Sequence, residues 1–120
     1  GYVVYSNQAK EALLGVDPKL LKAKGAVSPE VAEALARQCR LAAGTDLALA
    51  TTGIAGPTGG SPEKPVGLVY IALADEQATQ VFKFQLFGNR ENIKFRASQA
   101  ALELVRRHCL GLALGDGTEA

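Results

Sequence analysis

Between residues 53 and 65 the chain reads Gly53-Ile54-Ala55-Gly56-Pro57-Thr58-Gly59-Gly60-Ser61-Pro62-Glu63-Lys64-Pro65. Glycine leaves the backbone unrestrained and proline removes a backbone donor, so no helix or strand ladder passes through such a stretch. Two apolar runs bound it, Asp46 to Thr52 and Val66 to Ala74. Neither shows a polar face along most of its length, which suits strands covered on both sides. Thr79 to Phe87 alternates Val81, Lys83 and Gln85 with Phe82, Phe84 and Leu86. With only Asp75 to Ala78 in between, the second and third runs are expected to pair as a hairpin.

The remaining chain carries helix start and stop signals. Ser6 is placed to cap a helix from Asn7 to Leu14, and Gly15 to stop it. Asp17-Pro18 and Ser28-Pro29 each set a capping side chain before a proline at the first helical position. Val31, Ala32, Leu35, Ala36 and Cys39 then recur three or four apart, so this third helix turns one apolar stripe inward and ends near Ala43-Gly44. A last helix from Asn89 carries Ile93, Ala97, Ala100, Ala101, Leu104 and Val105 on one side. Gly1 to Tyr5 reads as an opening strand. The expected fold class is α/β, a three-layer α/β/α-type domain with a mixed sheet of about four strands, over residues 1–114. Residues 115–120 are expected to form a mobile tail.

Composition narrows the function classes. The 120 residues hold Lys+Arg 13 against Asp+Glu 12, with 48% hydrophobic and 21% charged. Such a balance offers no basic face to a phosphate backbone, so no nucleic-acid partner is expected. No apolar run approaches the roughly 20 residues that span a bilayer, so no membrane partner is expected either. Cys39 and Cys109 lie in apolar helical patterns without metal-ligand spacing, and are expected to be reduced, buried thiols of a cytoplasmic protein. His108 follows Arg106 and Arg107 near a helix end, where a cation suits the helix dipole. No metal and no cofactor is implied.

The glycine-rich segment is where chemistry is expected. Its glycines let backbone N–H groups approach a ligand, which favours an anion or an oxyanion. A nucleotide P-loop does not fit, because Lys64 is followed by Pro65 and a strand instead of a helix. A dinucleotide fingerprint fails as well, since no G-x-G-x-x-G opens a helix. Arg90, Lys94 and Arg96 crowd the start of the last helix against its dipole, an arrangement that an anionic ligand would stabilise. Near the first helix, Lys10 is a candidate general base if neighbouring structure desolvates it. Ser6, four positions before it, is occupied as a cap and is a poor nucleophile.

Three segments taken together, Tyr5-Ser6-Asn7-x-x-Lys10, Thr52-Gly53-Ile54-Ala55-Gly56-Pro57 with Gly59-Gly60 and Lys64-Pro65-Val66-Gly67, and Gly88-Asn89-Arg90, resemble the CinA C-terminal domain family. Gly25-Ala26-Val27-Ser28 is similar to it too. The resemblance implies a nicotinamide-nucleotide amidohydrolase, which converts nicotinamide mononucleotide to nicotinate mononucleotide and ammonia. It implies a serine acting with a lysine, Lys10 matching the family lysine, with Tyr5 and Asn7 orienting it. Thr52, Gly53, Ala55 and Gly56 would line the pocket, and Arg90 with Lys94 or Arg96 would hold the phosphate. The family serine stands on a Glu-Ser-Cys-Thr-Gly-Gly-type segment, and none of Ser6, Ser28, Ser61 and Ser98 has that context. With an opening in mid-strand, this leads to the expectation of an N-terminally incomplete domain, inactive alone. The partners expected are a pyridine nucleotide and further copies in a homo-oligomer, the latter from apolar residues between Leu102 and Leu114. The alternative reading is a non-catalytic nucleotide-binding or oligomerisation module.

Overall fold

A computed structural model describes residues 1–115. Its elements follow the capping signals closely: α1 (Asn7–Leu14), α2 (Pro18–Lys24), α3 (Pro29–Ala43), β1 (Ala48–Gly53), β2 (Leu68–Ala74), β3 (Thr79–Gln85) and α4 (Arg90–Cys109). The side chains of Ser6, Asp17, Ser28 and Asn89 each accept a backbone N–H in the first turn of the helix they precede. Gly15 and Gly44 end α1 and α3 in the left-handed conformation, where glycine carries no Cβ penalty. Ser28 is the cap with most to lose, because it is buried and its hydroxyl both accepts from the Val31 amide and donates to the Gly25 carbonyl. Ser28→Ala is expected to cost about 1–2 kcal/mol, read as a lowered urea midpoint with an unchanged slope.

The three strands form one antiparallel sheet in the order β1-β2-β3, with Thr52 opposite Tyr70 and Ile71 opposite Phe82. β2 is central, and helices cover both its faces, which is why its sequence has no polar side. Ala32 and Ala36 of α3 lie against Ala50, Ala72 and Ala74, short side chains that let helix and sheet approach closely. On the other face Val69, Ile71, Phe82, Phe84 and Leu86 pack with Ile93, Ala101 and Leu104 of α4. A third cluster, with Leu14, Val16, Leu21, Val31 and Leu35, fastens α1 and α2 to the outer side of α3.

The α/β layering agrees with the sequence reading, and the strand count is close to it. The sheet has three antiparallel strands in place of about four in a mixed arrangement, because Gly1 to Tyr5 joins no ladder among the described residues. Val4 instead packs against the α1–α3 cluster, and its carbonyl accepts from the Lys10 ammonium. Both cysteines are free, but Cys39 is only half-buried, at the edge of the α1–α3 cluster, and Cys109, the last residue of α4, is exposed, so neither is the buried thiol expected. His108 is half-buried, with Nε2 3.6 Å from the Asp75 carboxylate. That carboxylate also accepts the Gln77 and Ala78 amides, which hold it below the usual carboxylate range. Of the expected tail, all but Gly115 lies outside the described residues. No helix among the described residues is long and apolar enough to cross a membrane.

Candidate functional site

Four stretches of chain converge beyond the end of β1. The first is the glycine-rich loop itself. Its base is closed by two backbone bonds, Ile54 N–H to the Leu68 carbonyl at 2.9 Å and Gly67 N–H to the Ile54 carbonyl at 2.7 Å. Its interior folds onto Val66: a Cβ at Gly56 would lie 2.5 Å from a Val66 methyl, and one at Gly60 would lie 2.9 Å from Val66. The glycines here are thus required by close packing as well as by turn conformation, Gly56 having φ +78°. The second stretch is the start of α4, where Arg90 Nη1 donates to the Gly56 carbonyl at 3.1 Å. Two segments 34 positions apart, both singled out in the sequence, are therefore in direct contact.

The turn between α2 and α3 is the third stretch. Thr52 Oγ1, at the end of β1, donates to the Ala26 carbonyl at 2.8 Å. Lys64 Nζ, at the far end of the loop, donates to the Lys24 carbonyl at 2.7 Å. The fourth is the end of β3, whose Gln85 Nε2 donates to the Val66 carbonyl at 3.0 Å. Thr52, Gly53, Ala55, Gly56 and Arg90 are thus gathered at one end of the sheet. Lys94 stands one turn along α4, exposed and 3.8 Å from Glu91, and Arg96 is exposed.

Lys10 belongs to a separate group on α1. It is only 6% exposed, and its Nζ donates to the Val4 carbonyl at 2.9 Å, with the Tyr5 carbonyl at 3.5 Å. Among the described residues no carboxylate stands within ion-pair distance of it. Burial without a counter-charge disfavours the ammonium form and lowers the pKa from the ordinary lysine value of 10.5. Tyr5 meets Lys10 through its backbone carbonyl, the residue as a whole being 91% exposed, and Asn7 is exposed in the first turn of α1. All four serines hold backbone groups: Ser6 accepts from Ala9, Ser28 from Val31 and Ser61 from Lys64, while Ser98 donates to the Phe95 carbonyl. No cluster of potential metal ligands occurs among the described residues.

Sequence reasoning gave Lys64 no role. Its partner is 40 positions away, and the only local signal is Gly25, which leaves room for the ammonium: a Cβ there would lie 3.0 Å from Lys64 Nζ.

Fold and site together define a small α/β/α domain that gathers a glycine-lined loop, the start of a helix and an arginine at one end of its sheet. The chain belongs to the CinA C-terminal domain family, whose model matches residues 1–109. It is 54% identical over 111 residues to a "Putative competence-damage inducible protein" of Caldanaerobacter subterraneus subsp. tengcongensis, covering 92% of this chain and 27% of that protein. It is 56% identical over 110 residues to a "CinA-like protein" of Geotalea daltonii, again covering 92% of this chain and 27% of the other. The chain thus spans about a quarter of the length of the curated relatives it matches. Among solved structures, the competence damage-inducible protein A of Klebsiella pneumoniae superposes with a TM-score of 0.86 at 29% identity, over 90% of this chain and 67% of that one.

Proposed function

We propose that this chain is the lysine-bearing and phosphate-binding part of an amidohydrolase that converts nicotinamide mononucleotide to nicotinate mononucleotide and ammonia. The observation that carries the reading is Lys10, a buried lysine with depressed basicity, held by carbonyls and without a carboxylate partner. Such a lysine gives up its proton more readily than an exposed one, and its neutral amine is the form that can accept a proton from a nucleophile. A serine supplied by a Glu-Ser-Cys-Thr-Gly-Gly-type segment attacks the carboxamide carbon, and Lys10 Nζ takes its proton. The C–N bond breaks, ammonia leaves with that proton, and water cleaves the resulting ester to release the carboxylate.

Arg90 supports the substrate assignment. One of its N–H groups is spent on Gly56, which orients the planar guanidinium and leaves other donors for a phosphate. Lys94 and Arg96 add positive charge on the same helix. The test is ammonia release by the intact gene product supplied with nicotinamide mononucleotide, and no release overturns the reading. Arg90→Gln is expected to raise KM about tenfold or more, the value of one charge-assisted hydrogen bond of ~1.5–3 kcal/mol, while kcat changes little. With nicotinamide riboside, which lacks the phosphate, the variant and the parent should not differ.

The four serines, each engaged with backbone, favour a second reading for this span taken alone, that of a nucleotide-binding module. Binding without turnover by the intact gene product is its signature.

A further inference from the structure

We propose that Lys64 is a positioning residue, a latch whose ammonium holds the outer half of the glycine-rich loop against the α2–α3 turn and so sets the wall of the nucleotide pocket. The inference rests on the pocket reading given above.

The turn is held in an unusual way. Three successive carbonyls each accept a side-chain donor: Lys24 from Lys64 Nζ at 2.7 Å, Gly25 from Ser28 Oγ at 2.9 Å and Ala26 from Thr52 Oγ1 at 2.8 Å. The donors come from the loop, from the α3 cap and from the end of β1. The Lys24 carbonyl closes α2, where the last carbonyls have no intrahelical partner and the helix dipole favours a cation. Gly25, with φ +78°, leaves space beside the ammonium that any side chain would take.

The loop needs such a latch. Its base is tied through Ile54 and Gly67, and its inner half through Arg90 to Gly56. Residues 57–63 are exposed, and their hydrogen bonds stay within the Ser61–Lys64 turn, Ser61 N–H to the Lys64 carbonyl at 2.9 Å and Lys64 N–H to Ser61 Oγ at 3.1 Å. Among the described residues, the Lys64 ammonium is the hydrogen bond that carries this outer half to the rest of the domain. Without it, Gly56 and Gly60 would still pack on Val66, but the Thr58 and Gly59 amides between them and the Ser61–Lys64 turn beyond would sample more positions, and a ligand would bear the cost of ordering them.

The experiment uses the intact gene product with Lys64→Met and Lys64→Arg, read by amide hydrogen exchange and by steady-state kinetics with nicotinamide mononucleotide. For Lys64→Met, exchange at the amides of residues 61 and 64, the two in this outer half that donate hydrogen bonds, should quicken about tenfold and KM rise about tenfold, both reflecting loss of one charge-assisted bond. The value of kcat and exchange in the core strands should stay as in the parent, and Lys64→Arg should recover most of the loss. Unchanged loop exchange in Lys64→Met overturns the latch. Faster loop exchange with unchanged KM overturns the positioning role. Faster exchange throughout the domain, without rescue by arginine, assigns Lys64 to general stability and overturns the proposal as well. A parent protein that releases no ammonia overturns the amidohydrolase reading instead, and nicotinamide mononucleotide binding then replaces KM in the same comparison.

Discussion

Lys10→Met in the intact gene product is expected to reduce ammonia release from nicotinamide mononucleotide by roughly 10²- to 10⁴-fold in kcat, the range for loss of a general base. KM should be nearly unchanged, because the residue touches the Val4 and Tyr5 carbonyls and not the arginine end of the site. Methionine keeps an unbranched apolar stem in the same buried space, so the fold should survive. The pH dependence of stability supplies an independent check. Burial lowers the folded-state pKa of Lys10 below 10.5, so in that window the unfolded chain binds more protons than the folded one. Stability from this group therefore rises with pH. Its penalty is fully present below the folded pKa and lifts as pH climbs to the unfolded value. Urea titrations at neutral and alkaline pH should show that rise in the parent and lose this component in Lys10→Met. A variant that hydrolyses the substrate at the parent rate would remove Lys10 from the mechanism.

The largest loss of stability is expected at Gly67. This residue joins loop to sheet: its N–H donates to Ile54, its carbonyl accepts from Leu86 at 2.8 Å, and φ is +94°. A Cβ there would run into the Leu86 carbonyl oxygen and crowd Gln85 Nε2. The obstacle is backbone within a core-forming segment, so it cannot swing aside as a surface side chain would. Gly67→Ala should cost roughly 3–4 kcal/mol, combining the left-handed penalty with displacement of buried backbone. Gly15→Ala provides the contrast, because Gly15 has φ +65° and open space around its would-be Cβ. There only the conformational penalty applies, about 1 kcal/mol. Paired urea midpoints give the difference directly, and equal losses at the two sites would show that the collision at Leu86 is relieved.

Much of the architecture was legible because its causes are local. A capping oxygen followed by proline specifies where α2 and α3 begin whatever lies beyond them, and the alternation around Phe82 and Phe84 assigns β3 its inner face. The Thr52–Pro57 and Gly88–Arg90 segments could likewise be singled out from residue types alone. Their contact could not, because the bond from Arg90 to Gly56 depends on how α4 returns across the sheet.

What the sequence by itself determined is the set of short-range choices: helix ends, strand faces, the hairpin, and a loop that must be irregular. Tertiary structure decided the rest. Gly1 to Tyr5 has strand-like composition, yet composition does not name a partner strand, and the buried Lys10 ammonium takes the Val4 carbonyl. Lys64 and Thr52 stand in segments that the sequence singles out, but nothing in the sequence names their partners, and they become fasteners because folding brings the α2–α3 turn within hydrogen-bond reach. The physical reason is the same throughout: conformational preference is set by neighbours along the chain, whereas desolvation and long-range hydrogen bonds exist only after distant segments have been packed together.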